Sequence, residues 1–203
     1  MVSAAGTWLA LLLSVIPSFR RLSAQASVQL SLGARYTSTM VRDSIVTAID
    51  VRPTLAPSLA VTAATAIEHG WTADGTIDVS WSTLERHDQG GPTVGLGSLT
   101  TLAVVIGVRR ALAAGLAGRL AVGGLKYFPG ESTGIFRDGS GGVFPLGSAT
   151  VSYVPPLAFA QRRSLGIEAR YDVHAFITPA LRNRGFTSSR PVHRLALALR
   201  VTP

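Results

Sequence analysis

Polar and apolar residues alternate along most of this chain. Between Ser164 and Ile177 (SLGIEARYDVHAFI) one parity carries Leu165, Ile167, Ala169, Tyr171, Val173, Ala175 and Ile177, and the other carries Glu168, Arg170, Asp172 and His174. Successive side chains of a strand point to opposite faces, so this period of two predicts a strand with one apolar and one wet face. The same pattern recurs in Val28 to Thr37, Val51 to Ile67, Thr76 to Leu84, Val94 to Val108, Leu116 to Phe128, Val143 to Phe159 and Val192 to Thr202. In the Val143 segment Pro155 and Pro156 each lack a ladder donor, so that strand is expected to end near Val154. Eight strands follow.

The connections carry a second regularity. The first, third, fifth and seventh are expected to be longer than the ones between them. Two of them, PGESTGIFRDGSGG and TPALRNRGFTSSRP, are rich in turn formers. An up-and-down barrel with both termini on one side has long loops at one rim and short turns at the other, which gives this alternation.

The apolar faces could line a cup-shaped soluble barrel of the lipocalin kind or face lipid. With the apolar faces inward, the outer surface would be Gly, Ala, Ser and Thr with few charges, which suits solubility poorly. With them outward, an aliphatic band results, and Tyr36, Trp81, Phe128, Tyr153 and Tyr171 can form interfacial girdles.

Composition points the same way. The chain is 47% hydrophobic and 15% charged, against roughly 25% charged in soluble domains. After residue 26 no apolar run is long enough for a spanning helix, which takes roughly 20 residues. Near the start, Trp8 to Ile16 is a shorter apolar run followed by Ala24-Gln25-Ala26, a small-x-small cleavage pattern. Residues 1–26 are therefore expected to be a signal peptide and 27–203 one domain; a buried helix or uncleaved anchor is the other reading of the first segment. There is no cysteine, hence no disulfide or thiolate metal site. The net charge of +8 comes from dispersed arginines with no aromatic interleaving, so no nucleic-acid partner is expected.

On these strands, faces and connections, from Val28 to Thr202, the chain resembles the small outer-membrane β-barrel proteins of Gram-negative bacteria. The resemblance is one of pattern and rests on no short motif. It implies an all-β fold: a single antiparallel, up-and-down, eight-stranded transmembrane β-barrel, following a cleaved signal peptide. The implied location is the bacterial outer membrane, with lipid around a monomer. Chains of that family usually finish on an aromatic residue read during assembly, whereas here the matching parity falls on Pro203.

The wet parity holds whatever chemistry exists. It places Arg35, Arg52, Asp78, Arg119, Glu168, Arg170, Asp172, His174, Arg194 and Arg200 toward the lumen. Glu168 and Asp172 are expected to meet Arg194, Arg200 or Arg35, because the last strand lies between the seventh and the first. Paired charges would fill an interior just wide enough for side chains. The excess of arginine over carboxylate would instead suit an anion-attracting lining. His69, His87, His174 and His193 have no metal-ligand spacing, no G-x-S-x-G turn is present, and no P-loop lysine follows the glycines at 139–142. No cofactor is expected. The sequence thus favours a non-enzymatic barrel that stabilises the membrane or presents loops to a ligand. The alternative is a narrow pore or binding barrel for a small anionic or hydrophobic solute, and a membrane-embedded lipid-modifying hydrolase ranks below both.

Overall fold

A computed structural model of the chain describes residues 27–43, 49–132, 134–155 and 164–202. The signal-peptide expectation and Pro156 lie outside those residues. The described chain forms ten strands: β1 (Ser27–Thr37), β2 (Val41–Asp43), β3 (Ile49–Pro53), β4 (Ala56–Ala66), β5 (Trp71–Asp88), β6 (Val94–Ala113), β7 (Leu116–Pro129), β8 (Phe144–Tyr153), β9 (Ser164–Phe176) and β10 (Arg190–Thr202). One short helix, α1 (Pro179–Asn183), precedes β10. The cyclic order β1-β4-β5-β6-β7-β8-β9-β10 is antiparallel throughout and closes where β10 pairs with β1. Closure gives each of the eight wall strands a partner on both sides and removes the exposed sheet edge.

Two expectations need correction. The stretch from Val51 to Ile67 is not one strand but β3 and β4. Pro53 faces Leu84, whereas Ser58 faces Ser80, so one extra residue sits on this side of the ladder with β5. A one-residue slip moves every side chain beyond it to the opposite face. Arg52 is consequently exposed, with Val51 and Pro53 buried beside it, and it does not join the lumen. The third connection is also shorter than expected, spanning only 89–93, although it still exceeds its neighbours at 67–70 and 114–115. The third is short because β5 and β6 run on as strands of 18 and 20 residues.

A tilted strand crosses a bilayer in about 9–11 residues, so β5 and β6 overrun it by nearly half their length. Their continuous outward apolar run ends at Trp81 and Leu102, leaving Val94 as the exposed apolar residue at the tip of β6, and beyond that run β3 adds to β5, and β2 to β3. The result is a polar blade standing on the long-loop rim. At the opposite rim β6 and β7 are joined through Ala114 and Gly115, a two-residue turn that needs the positive φ of Gly115 (74°).

Two wall glycines lie against the backbone of a neighbouring strand. A Cβ on Gly123 would lie 2.0 Å from the Val104 carbonyl oxygen, and one on Gly33 2.1 Å from that of Leu197. These positions admit no side chain without moving backbone.

Candidate functional site

The interior is the opposite of a soluble core. The two bulkiest fully buried side chains are Arg35 and Arg194, each 1% exposed, while Ile106 is 68% and Leu120 67% exposed on the outer surface. The aromatic residues expected at the girdles, Tyr36, Trp81, Phe128, Tyr153 and Tyr171, are all on that exposed face. An exposed apolar band running around every wall strand is far larger than a soluble monomer shows, and it matches the lipid-facing surface of a membrane barrel.

Inside, the polar parity of the strands builds two layers. In the middle of the barrel, Asp78 on β5 accepts a two-pronged contact from Arg35 on β1, the strand beyond β4, Nη2 to Oδ2 being 2.8 Å. Arg170 on β9 reaches the same carboxylate at 2.8 Å and Asp172 at 3.3 Å. Asp172 also faces Arg194 on β10 at 4.0 Å, and Arg194 donates to Thr101 Oγ1 at 3.1 Å. Nearer the short-turn rim, Arg119 Nε donates to both oxygens of Asp74, at 2.8 and 2.9 Å, and its Nη2 donates to Thr76. Arg109 donates to Gln29 Oε1 at 2.8 Å and lies 4.0 Å from Glu168, and Arg200 donates to Ser152 at 3.3 Å.

Of the candidate residues, Arg35, Asp78, Arg119, Glu168, Arg170, Asp172, His174, Arg194 and Arg200 thus point into the barrel, and Arg52 stands outside. One of the expected pairs forms, Asp172 with Arg194 at 4.0 Å, and the other partners differ. Arg35 pairs with Asp78 rather than with the β9 carboxylates, and Glu168 approaches Arg109. Asp74 and Arg109 are interior charges that the sequence reading missed because it began the third strand at Thr76 and ended the fourth at Val108. Each continues its strand's parity by one more step, so the signal was present.

A third layer has no counterpart in that reading. At the long-loop end the lumen changes from charged to apolar. Tyr127, Phe144 and Phe176 pack with ring centroids 5.5–5.6 Å apart, and Phe136 from the loop after β7 joins them at 6.0–6.1 Å. Leu99, Leu125, Leu146 and Val192 bury against the cluster from the wall, and Leu181 of α1 from the loop above. Thr178 ties the two loops together: its hydroxyl donates to the Ile135 carbonyl at 2.6 Å and accepts from the Leu181 amide at 3.3 Å, capping α1. The Tyr127 hydroxyl meets His174 Nε2 at 2.7 Å, so this pair joins the aromatic plug to the charged layer below. The lumen charges therefore sit beneath a lid of hydrophobic side chains.

Elsewhere the histidines serve as local partners. His193 Nδ1 bonds the Tyr171 hydroxyl at 2.6 Å on the outer face, and His87 bonds Thr93 at 3.0 Å on the blade. Ser38 lies next to His193, yet its hydroxyl accepts the backbone amide rather than the imidazole. None of these histidine partners is a serine hydroxyl.

No protein-family model and no curated protein matches the chain. Solved structures do. The outer-membrane protein AlkL, studied in lipid bilayers, aligns over 88% of this chain and 90% of its own at 11% identity, with a TM-score of 0.50. The fold is that of the small outer-membrane β-barrels. OprG of Pseudomonas aeruginosa (12% identity, 88% and 96% covered, TM-score 0.49) and Neisserial surface protein A (13% identity, 87% and 95% covered, TM-score 0.48) also align along nearly all of the barrel.

Proposed function

We propose that this outer-membrane β-barrel is a closed, non-enzymatic scaffold that anchors in the bilayer and presents the β2–β3–β5–β6 blade, with the loops at 130–143 and 177–189, at one membrane surface. The observation that carries this reading is the filled lumen. A cross-barrel knot of three arginines and two aspartates lies under an aromatic plug, and a void beside Arg35, Asp78 and Arg170 measures about 10 Å³, barely the room one water needs. The blade supplies a polar surface held by ion pairs of its own, Arg42 with Asp50 at 2.8 Å and Arg86 with Asp88 at 3.0 Å. The chain works as a monomer, exported by cleavage after Ala26, with the bilayer as its standing partner and any soluble ligand held by the blade and loops.

A second reading keeps one specific support. Six interior arginines face four carboxylates, an imbalance that suits a narrow anion path. Planar-bilayer recording of the purified chain separates the two. The scaffold gives no discrete conductance steps; stable anion-selective steps would replace it with the pore. N-terminal sequencing of the membrane fraction tests the export step, for which a start at Ser27 is expected and an intact Met1 would refute cleavage.

A further inference from the structure

The outer wall carries a trough of about 680 Å³ that the lumen reading does not use. Ladder pairing explains its shape. Trp71, Arg110, Gly118, Val151 and Ala169 lie in one row across β5 to β9, and Val108, Leu120, Ala149 and Tyr171 lie in the next. Gly118, Ala149 and Ala169 make a low floor, and the larger side chains stand up as walls. The row begins close to the short-turn rim, since Trp71 opens β5 and Arg110 is three residues from the end of β6. It then climbs into the apolar band, because Ala169 stands five residues above the start of β9.

The rim end of the trough is cationic. Arg110 is exposed, and its guanidinium stacks over the Trp71 ring at 5.3 Å. That contact fixes the side chain and leaves its N–H edge open. Among the described residues no carboxylate pairs with Arg110. The carboxylates of the membrane-spanning strand portions, Asp74, Asp78, Glu168 and Asp172, all turn to the interior. On the lipid-facing wall itself a second copy of this chain has no carboxylate to offer Arg110, the exposed Glu68 standing in the 68–70 turn beyond that wall, whereas the surrounding bilayer offers phosphate at that depth.

We propose that the trough binds one phospholipid of the leaflet at the short-turn rim, its phosphate on Arg110 and one acyl chain across Gly118, Ala149 and Ala169. Guanidinium N–H groups match phosphate oxygens in a two-pronged geometry. Trp71 sits where amphipathic rings collect at the headgroup level. The trough is open to its surroundings rather than enclosed, which suits a lipid lying against the wall with the rest of the bilayer around it. The site presupposes the membrane orientation of the barrel and is independent of whether the lumen conducts.

Native mass spectrometry of the full chain, purified in a maltoside detergent and titrated with phosphatidylglycerol, tests the site. Wild type should retain one lipid per barrel. Arg110→Gln should need about fivefold more lipid for the same occupancy, since one basic residue near a bilayer surface contributes about 1 kcal/mol. Ala149→Leu, which fills the floor but leaves the charge, should lose retention with its unfolding temperature unchanged. Equal retention in wild type and both variants would overturn the lipid site while leaving the barrel reading intact. A wild-type dimer that Ala149→Leu dissociates would reassign the trough to a second copy. A chain that stays folded and soluble without detergent would overturn the membrane reading itself.

Discussion

Replacing Asp78 with alanine is the sharpest test of how the barrel interior is held. Asp78 is 2% exposed and is the common partner of Arg35 and Arg170, which approach it from β1 and β9. At the 2.8 Å separation from Arg170 a unit pair attracts by about 6 kcal/mol for an effective dielectric of about 20. Desolvation of the ions offsets much of this while the knot is intact. Removing the carboxylate alone leaves two buried guanidiniums whose desolvation is then largely uncompensated. Arg170 keeps only Asp172, at 3.3 Å, and Arg35 loses both of its charge-assisted bonds. The expected loss is about 3–5 kcal/mol, read as a lowered urea midpoint in detergent micelles by tryptophan fluorescence. Adding Arg35→Leu to Asp78→Ala should return part of it, because one of the stranded charges goes too. If Asp78→Ala unfolds within about 0.5 kcal/mol of wild type, the shift typical of a surface substitution, the knot contributes nothing and the argument for a side-chain-locked lumen fails.

Val104, outward in the middle of β6 and 49% exposed, should cost about 2–4 kcal/mol when replaced by arginine; a variant as stable as wild type would place it outside the bilayer. Phe176→Ala removes a ring packed against Tyr127 at 5.5 Å and Phe136 at 6.1 Å, with an expected loss of about 3–5 kcal/mol in the same unfolding assay. Gly123→Ala should destabilise by about 1–3 kcal/mol through overpacking, since its Cβ would strike the Val104 carbonyl, whereas Gly95→Ala meets nothing within 4 Å and should be close to neutral.

What the amino-acid order determined by itself is the part of the structure governed by local geometry. Alternation of period two assigns strands and faces without reference to any partner, so Arg35, Asp78, Arg170 and Asp172 could be placed inside, and Tyr36 and Trp81 outside, from parity alone. Arg52 went to the wrong face because parity holds only while the register does. The extra residue between Pro53 and Ser58 shows itself only against the pairing with β5. The aromatic plug was half legible: Tyr127, Phe144 and Phe176 share the inward parity of their strands, but their meeting at one end depends on the stagger of β7, β8 and β9 and on Phe136 folding in from a loop. Partner choice in the lumen was legible only between adjacent strands, as for Asp172 and Arg194 on β9 and β10; the rest was decided by tertiary structure. Arg170 on β9 and Asp78 on β5 stand four strands apart on opposite sides of the barrel yet meet at 2.8 Å, and strand order predicts neighbours along the wall, not contacts through its centre. Those contacts depend on barrel diameter and shear, which are collective properties of all eight strands at closure.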